Sequence, residues 1–203
     1  MQDTWTENLN GFKVFVNDLK SNKNVDYLFS LTVFDTQVDT PLVAVPIAQV
    51  SPGILSKYPP RGGTALYDAI GSAAQATQPI LSDVDKVICV IVTDGQENSS
   101  CEYKKDSIHA LIDSKLKEGN WTFQYLGTQP ETWDDSSKIG LAAGSTVQYS
   151  GVHTQSMYAA VSDSVNCFSS SVLRSSDNLI GSFASTAKIK AACLKLDKDQ
   201  VQR

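Results

Sequence analysis

Two oxygen-bearing side chains in this sequence stand where a parallel α/β sheet would place its ligands. Asp94 directly follows the apolar, β-branched run VICVIVT and precedes a glycine and the polar cluster QENSS. Thr64 follows Gly62 and Gly63 and opens the run TALYDAIGSAAQAT, which is typical of a helix. Carboxylate and hydroxyl oxygens suit Mg²⁺, Mn²⁺ or Ca²⁺ rather than a thiolate-seeking metal. The pair therefore indicates a divalent-cation site, with Mg²⁺ as the first candidate.

Each of the two residues also has a simpler interpretation. Thr64 suits the N-cap of the helix after the Gly-Gly turn, and Asp94 suits a turn that follows a strand. If the loops do form a binding edge, the glycines permit a close turn and the neighbouring polar residues form its rim. That predicted partner-binding rim comprises Gly62, Gly63, Asp35, Gln96, Glu97 and Asn98.

The hydropathy pattern alternates between helices and strands along the chain. A helix is predicted over TWTENLNGFKVFVNDLK, with Thr4 and Glu7 as a capping box at its start. Strands are predicted over NVDYLFSLTVF, TPLVAVPI, KVICVIVT, WTFQYLG and STVQYS. KVICVIVT is expected to be buried on both faces, and the prolines of TPLVAVPI favour an edge. The order predicts an α/β fold with a doubly wound, mostly parallel sheet.

Helices are predicted between these strands as well. SIHALIDSKLKE is expected to end at Gly119, PETWDDSSKIGLAAG to begin at Pro130, and a long helix to follow the last strand. We assign residues 1–175 to one domain and residues 176–203 to an extension or tail. Ligands of such sheets bind beyond the carboxyl ends of the strands, which is where Asp94 and Thr64 are expected.

Composition and short motifs narrow the class of function. The 203 residues are 41% hydrophobic and 19% charged, which predicts a packed core, and the net charge of −5 disfavours nucleic acid as a partner. No apolar run approaches a membrane span, and the start has no signal-peptide pattern, so a cytoplasmic location is expected. The four cysteines lack C-x-x-C spacing, which disfavours a zinc site.

An enzyme is the natural alternative for a parallel α/β sheet. The sequence has no G-x-G-x-x-G, no G-x-x-x-x-G-K-[ST] and no G-x-S-x-G, so the common nucleotide and nucleophile motifs are absent. Metal-assisted hydrolysis would require Asp35 and Asp68 to converge on Asp94. No catalytic motif supports that arrangement, and we expect a binding protein rather than an enzyme.

The ordered set PRGGTALYDAIG and KVICVIVTDGQENSS resembles von Willebrand factor type A domains, especially intracellular bacterial and phage-type members. NLNGFKVFVNDLK, SLTVFDTQV and WTFQYLGTQPETWDDSSKIGLAAG extend the resemblance to about residue 175. It implies a doubly wound sheet with a metal-ion-dependent adhesion site, to which Thr64 and Asp94 correspond. It also implies a protein partner whose acidic residue completes the coordination of the ion.

This chain departs from the family at its start. The D-x-S-x-S metal loop and the central strand before it are both missing from the sequence. Three explanations follow: Met1 is an internal residue of a longer protein, a strand from a partner or a second copy fills the gap, or the sheet has closed over it. With half of the ligands absent, metal-independent binding becomes the alternative function.

Overall fold

The computed structural model describes residues 2–127, 132–149 and 154–170. The predicted positions 128–131, 150–153 and 171–203, which include Pro130 and the C-terminal extension, lie outside the described residues. Within the described ranges the chain forms ten main elements: α1 (Gln2–Ser21), β1 (Leu28–Phe34), β2 (Val38–Pro46), α2 (Leu66–Thr77), β3 (Val87–Thr93), α3 (Lys105–Glu118), β4 (Trp121–Gly127), α4 (Thr132–Lys138), β5 (Thr146–Gln148) and α5 (Thr154–Ser170).

The strands form two separate sheets. β3, β4 and β5 make a parallel sheet in that order, and β3 pairs with β4 from Val87 opposite Trp121 to Thr93 opposite Gly127. β1 and β2 make an antiparallel pair. The mixed α/β class is therefore confirmed, whereas the continuous sheet is not seen in the described residues. β1 and β3 are not hydrogen-bonded to each other, so the sheet has not closed over the gap.

Helices pack on both faces of the strands. One core lies between α1, α5 and the strands, and its members on α1 are Phe12, Phe15, Val16 and Leu19. The other core joins α2 and α3 to the opposite face of β3 and β4. The apolar stripe of α1 recurs at helical spacing, which is why one face of this helix is buried. None of the described helices is long and apolar enough to cross a membrane.

Some element boundaries differ from the sequence predictions. α1 begins at Gln2, so Thr4 lies inside the helix rather than at its N-cap. α3 ends as predicted, because Gly119 has φ of 80° and takes the left-handed conformation that terminates a helix. β2 pairs with β1 alone among the described strands, which agrees with its two prolines.

The burial of β3 is lower than its sequence predicts. Only Ile91 of this strand is buried and the other six residues are half-buried, whereas all seven residues of β4 are buried. Among the described strands, β4 has a neighbour on each side, whereas β3 has a neighbour only on its β4 side. The open side explains why an apolar run typical of a fully covered strand remains partly exposed.

Candidate functional site

The ends of β1 and β3 meet at the loop that carries Thr64. Ala65 N donates a hydrogen bond to the carbonyl oxygen of Asp35, just after β1, over 2.7 Å. On the other side Asn98 N, in the loop after β3, donates to the carbonyl oxygen of Thr64 over 3.0 Å. Three predicted site segments therefore converge at the carboxyl edge of the strands.

Close packing between the Thr64 loop and the Asp94 loop requires glycine. A Cβ placed on Gly63 would lie 2.0 Å from Ser99 Oγ, and one on Gly95 would lie 2.4 Å from Thr64 Oγ1. Gly62 has φ of 70°, which favours glycine in the turn. The hydroxyl of Thr64 consequently lies against the residue that follows Asp94, so the loops that carry the two predicted metal ligands are in contact.

Asn98 fixes the contact between these loops. Its Oδ1 accepts hydrogen bonds from Thr64 N at 2.8 Å and from Ser99 Oγ at 2.6 Å. The side chain predicted to lie on the rim is thus directed at the backbone of the Thr64 loop. Gln96 is exposed, and its role in partner binding stays a prediction.

Thr64 is not the N-cap of α2. Ala65 takes that position, and its side chain makes no capping hydrogen bond. The first amides of the helix are instead bound by the Asp94 loop: Glu97 Oε2 accepts from Tyr67 N at 3.0 Å, and Ser100 Oγ accepts from Asp68 N at 3.1 Å. The simpler interpretation of Thr64 as a cap is therefore wrong.

Glu97 also holds its own loop. Its Oε1 accepts from Ser99 N at 3.0 Å and from Ser100 N at 2.8 Å, and its Oε2 accepts from Ser100 Oγ at 2.7 Å. Both carboxylate oxygens are thus used within the protein. A negative charge at the start of α2 is also favoured by the helix dipole. Partner binding by Glu97 stays a prediction, and its observed role is to position the loop.

Asp68 is buried and binds the later part of the loop that begins at Asp94 and connects β3 to α3. It is 8% exposed. Its carboxylate accepts from Cys101 N at 2.8 Å, Glu102 N at 3.0 Å and Tyr103 N at 2.8 Å. The sequence predicted only a favourable charge in the first helical turn. Nothing in the sequence signals the three amides, because they lie more than thirty residues further along the chain.

Asp35 is paired with a cation. Arg61 Nε lies 2.8 Å from Asp35 Oδ2, and Gln37 N donates to Asp35 Oδ1 over 2.8 Å. The hydrogen bond from Arg61 and then that from Gln37 lower the pKa of the Asp35 carboxyl below its usual value. Asp35 is therefore held by the protein, and neither it nor Asp68 supplies the cluster that metal-assisted hydrolysis would require.

Asp94 is exposed and lies near Tyr149, which the sequence interpretation missed. Tyr149 follows β5 and is 4% exposed. Burial raises the pKa of Tyr149 to about 12, with a further contribution from the negative charge of Asp94. Asn8 of α1 makes a hydrogen bond with the Tyr149 side chain. The position of Tyr149 at the end of a predicted strand was the one available signal.

The oxygen ligands at this edge are of the type that a divalent ion binds, but they are too few to complete its coordination. Thr64 and Asp94 offer a hydroxyl and a carboxylate, which are ligands that Mg²⁺ accepts. The described residues contain no group of three or more His, Cys, Asp or Glu side chains placed to hold a metal. Because Mg²⁺ prefers six oxygens, two protein ligands leave most of the coordination to water. The described residues therefore do not form a complete metal site.

The fold is shared with a solved protein. The structure of proximal thread matrix protein 1 from the mussel byssus matches with a TM-score of 0.61 over 79% of this chain, at 17% sequence identity. The match covers 40% of that matrix protein, so this chain corresponds to about two-fifths of its length. At this identity the likeness concerns the fold alone. No family model and no curated protein sequence matches the chain.

We predict that alkaline pH destabilises the protein through its buried acids. Burial raises the pKa of the Cys89 thiol from 9.0 to about 12, and that of Tyr149 from 10.0 to about 12. The folded state thus favours the neutral forms. This contribution is complete below pH 9 and is lost as the pH rises from 9 toward 12.

Urea unfolding at pH 8, 9.5 and 10.5 measures this loss. Cys89→Ala should make the decline between pH 9 and 10.5 shallower, because it removes a thiol whose pKa is raised in the folded state. Cys101→Ala is the matched control, since Cys101 is exposed. A pH dependence that is the same in both variants would contradict a contribution from Cys89.

Proposed function

We propose that this chain is a protein-interaction module of the von Willebrand A type, which binds its partner at the carboxyl edge of the strands. The exposed carboxylate of Asp94, in a loop that packs against the hydroxyl of Thr64, supports this proposal most directly. Asn98 Oδ1 accepts a hydrogen bond from Thr64 N and Glu97 Oε2 accepts one from Tyr67 N, and these bonds hold the two loops together. A partner therefore meets a pre-formed surface, which reduces the entropy lost on binding.

A weakly held divalent ion is part of this proposal. Thr64 and Asp94 would hold Mg²⁺ or Mn²⁺ mostly through water, and the ion would attract an acidic residue of the partner. Two protein ligands lead us to expect a dissociation constant of about 1 mM or weaker for the chain alone, comparable to the weakest protein sites for such ions. Binding of the partner without metal is the second candidate, and the absence of a three-carboxylate group among the described residues favours it.

Metal titration separates these two candidates. We expect Mn²⁺ to broaden the amide NMR signals of Thr64 and Gly95 in the parent protein, because a paramagnetic ion relaxes nearby nuclei. Asp94→Ala and Thr64→Ala should each remove that broadening. Isothermal calorimetry with Mg²⁺ should show weak heat in the parent protein and none in Asp94→Ala.

Asp106→Ala is the matched control, because Asp106 is an exposed carboxylate in the first turn of α3. It should bind metal as the parent protein does. Absence of selective broadening in the parent protein would exclude the metal and leave the metal-independent module. Equal binding by Asp94→Asn and the parent protein would show that the site is assigned to the wrong residue.

A further inference from the structure

A long groove separates the two sheets of this protein. One side is the edge of β1 and the other is the edge of β3, and every residue of the two strands contributes to the lining. Residues of α1, including Phe12 and Phe15, and residues of α2, including Ala69 and Ala73, form the remaining walls. We call this the β1–β3 groove. Its volume is about 1890 Å³, well above the roughly 300–1,000 Å³ of small-molecule pockets.

The two strands that border the groove run in the same direction. At their N-terminal ends both are tied to α5: Tyr27 Oη donates to Asn166 Oδ1 over 2.8 Å, and Lys86 Nζ donates to the Phe168 carbonyl over 3.0 Å. At their C-terminal ends both meet the Thr64 loop. A single extended segment lying in the groove is therefore aligned with both strands along their full length.

Each bordering strand has hydrogen-bonding capacity directed at the groove. Within the described residues β1 pairs with β2 alone, and β3 pairs with β4 alone. A strand with one paired side presents a row of backbone N–H and C=O groups on the other side, which is a template for a further strand. Two such rows face each other across this groove. Added strands use backbone hydrogen bonds for affinity and side-chain pockets for specificity.

The lining defines the chemistry of the segment that fits. Neither β1 (LFSLTVF) nor β3 (VICVIVT) contains a charged residue. Aromatic side chains of α1 face one side of the groove and alanines of α2 face the other. The matching occupant is uncharged and apolar on both faces, as in strands that are buried within parallel sheets. Seven residues are required to span either strand, a length of about 23 Å.

We propose that the β1–β3 groove accepts one extended, uncharged, β-branched segment of about seven residues from a partner polypeptide. The segment pairs with β1 and β3 simultaneously and joins the two sheets into one. This occupant is selected by two features. It extends the hydrogen-bond ladders of both sheets, and it is uncharged, as the edges of β1 and β3 are. The inference does not depend on the metal or on Asp94, so it can fail or succeed separately from the proposed function.

Hydrogen exchange with a designed peptide tests this proposal. The probe is a seven-residue peptide rich in Val and Ile, flanked by lysines for solubility. The control peptide has the same composition except for a central proline, which removes a backbone donor and is excluded from central strands. We expect the first peptide to slow amide exchange in residues 28–34 and 87–93 at least tenfold, and the proline peptide to change neither segment.

A pair of variants on α2 tests whether the peptide binds in the groove. Ala73 lines the groove, so Ala73→Phe should fill it and abolish the protection. Ala76→Phe is the matched control on the same helix, because Ala76 is not part of the lining, and it should respond as the parent protein does. Thermal unfolding of both variants checks that the fold is retained.

Three outcomes would overturn the proposal. The first is unchanged exchange in both segments at saturating concentrations of the Val/Ile peptide. The second is full protection of both segments in the free monomer, which would mean that this chain already covers the groove. The third is protection that rises with protein concentration without peptide, which would assign the groove to a second copy. Broadening of the Thr64 amide signal by Mn²⁺ is measured in the same samples, and it reports separately on the candidate metal site.

Discussion

Replacing Asp68 with alanine is expected to lower the free energy of unfolding by about 3 kcal/mol, because three buried hydrogen bonds to a carboxylate are lost together. The amides of Cys101, Glu102 and Tyr103 would then lose their acceptor. Asp68→Asn should cost less, since its amide oxygen still accepts one or two of these bonds. Urea unfolding monitored by circular dichroism measures both variants.

Asp113→Ala provides the comparison for this loss. Asp113 is an exposed carboxylate on α3 with Lys117 Nζ at 2.6 Å, one helical turn away. Exposed pairs of this kind contribute little, so the change should stay within about 0.5 kcal/mol. If Asp68→Ala cost no more than Asp113→Ala, the three amide contacts would not be holding the loop. The loop also carries Glu97 and Ser100, so Asp68→Ala should speed amide exchange at the start of α2.

A large side chain at Gly11 should force α1 away from α5. Gly11 is buried, and a Cβ at this position would lie 2.2 Å from Tyr158 Cδ2 and 2.9 Å from Tyr158 Cε2. Tyr158 is only 5% exposed, so its ring has little room to move. We expect Gly11→Leu to destabilise the protein by about 2–3 kcal/mol through overpacking. Gly11→Ala should cost less, because it adds a single methyl group to this contact, and it gains about 1 kcal/mol of helix propensity over glycine.

Lys13→Leu tests whether the effect is steric. Lys13 lies on the same helix and is exposed, so leucine there meets solvent and should change stability by no more than about 0.5 kcal/mol. Thermal and urea unfolding of the three variants give the comparison. Equal stability of Gly11→Leu and Lys13→Leu would mean that the helices separate without cost at this contact.

The sequence predicted the elements well because their periodic patterns are long. The apolar stripe of α1, the runs of β3 and β4 and the stop at Gly119 each depend on neighbouring residues, and all of them appear in the structure. The placement of Asp94 and Thr64 at one edge also followed from the sequence, because parallel strands deliver their carboxyl ends to the same side. The mixed α/β class and the meeting of the two loops were thus predictable, whereas their role as a functional site stays a prediction.

The connections across the site were not predictable from local pattern. Glu97 looked like a residue for a partner, but it binds the first turn of α2, thirty residues earlier in the chain. Asp68 looked like a dipole partner and holds three amides of a distant loop. Tyr149 and Asn8 reach the edge from β5 and α1. Such contacts depend on the tertiary arrangement, which cannot be predicted from the hydropathy and propensity of a single segment.

The division of the sheet also has a consequence for how the molecule opens. No strand hydrogen bonds link the β1–β2 pair to β3, so helix packing and loop contacts such as that of Thr64 with Asn98 connect the two parts. Segments joined by few backbone bonds unfold locally at a lower free energy than the whole protein. We therefore expect the β1–β2 hairpin to open as a unit at a lower free energy than the parallel sheet. Filling the β1–β3 groove would join the hairpin to the parallel sheet. The protein with an occupied groove would then unfold as one cooperative unit.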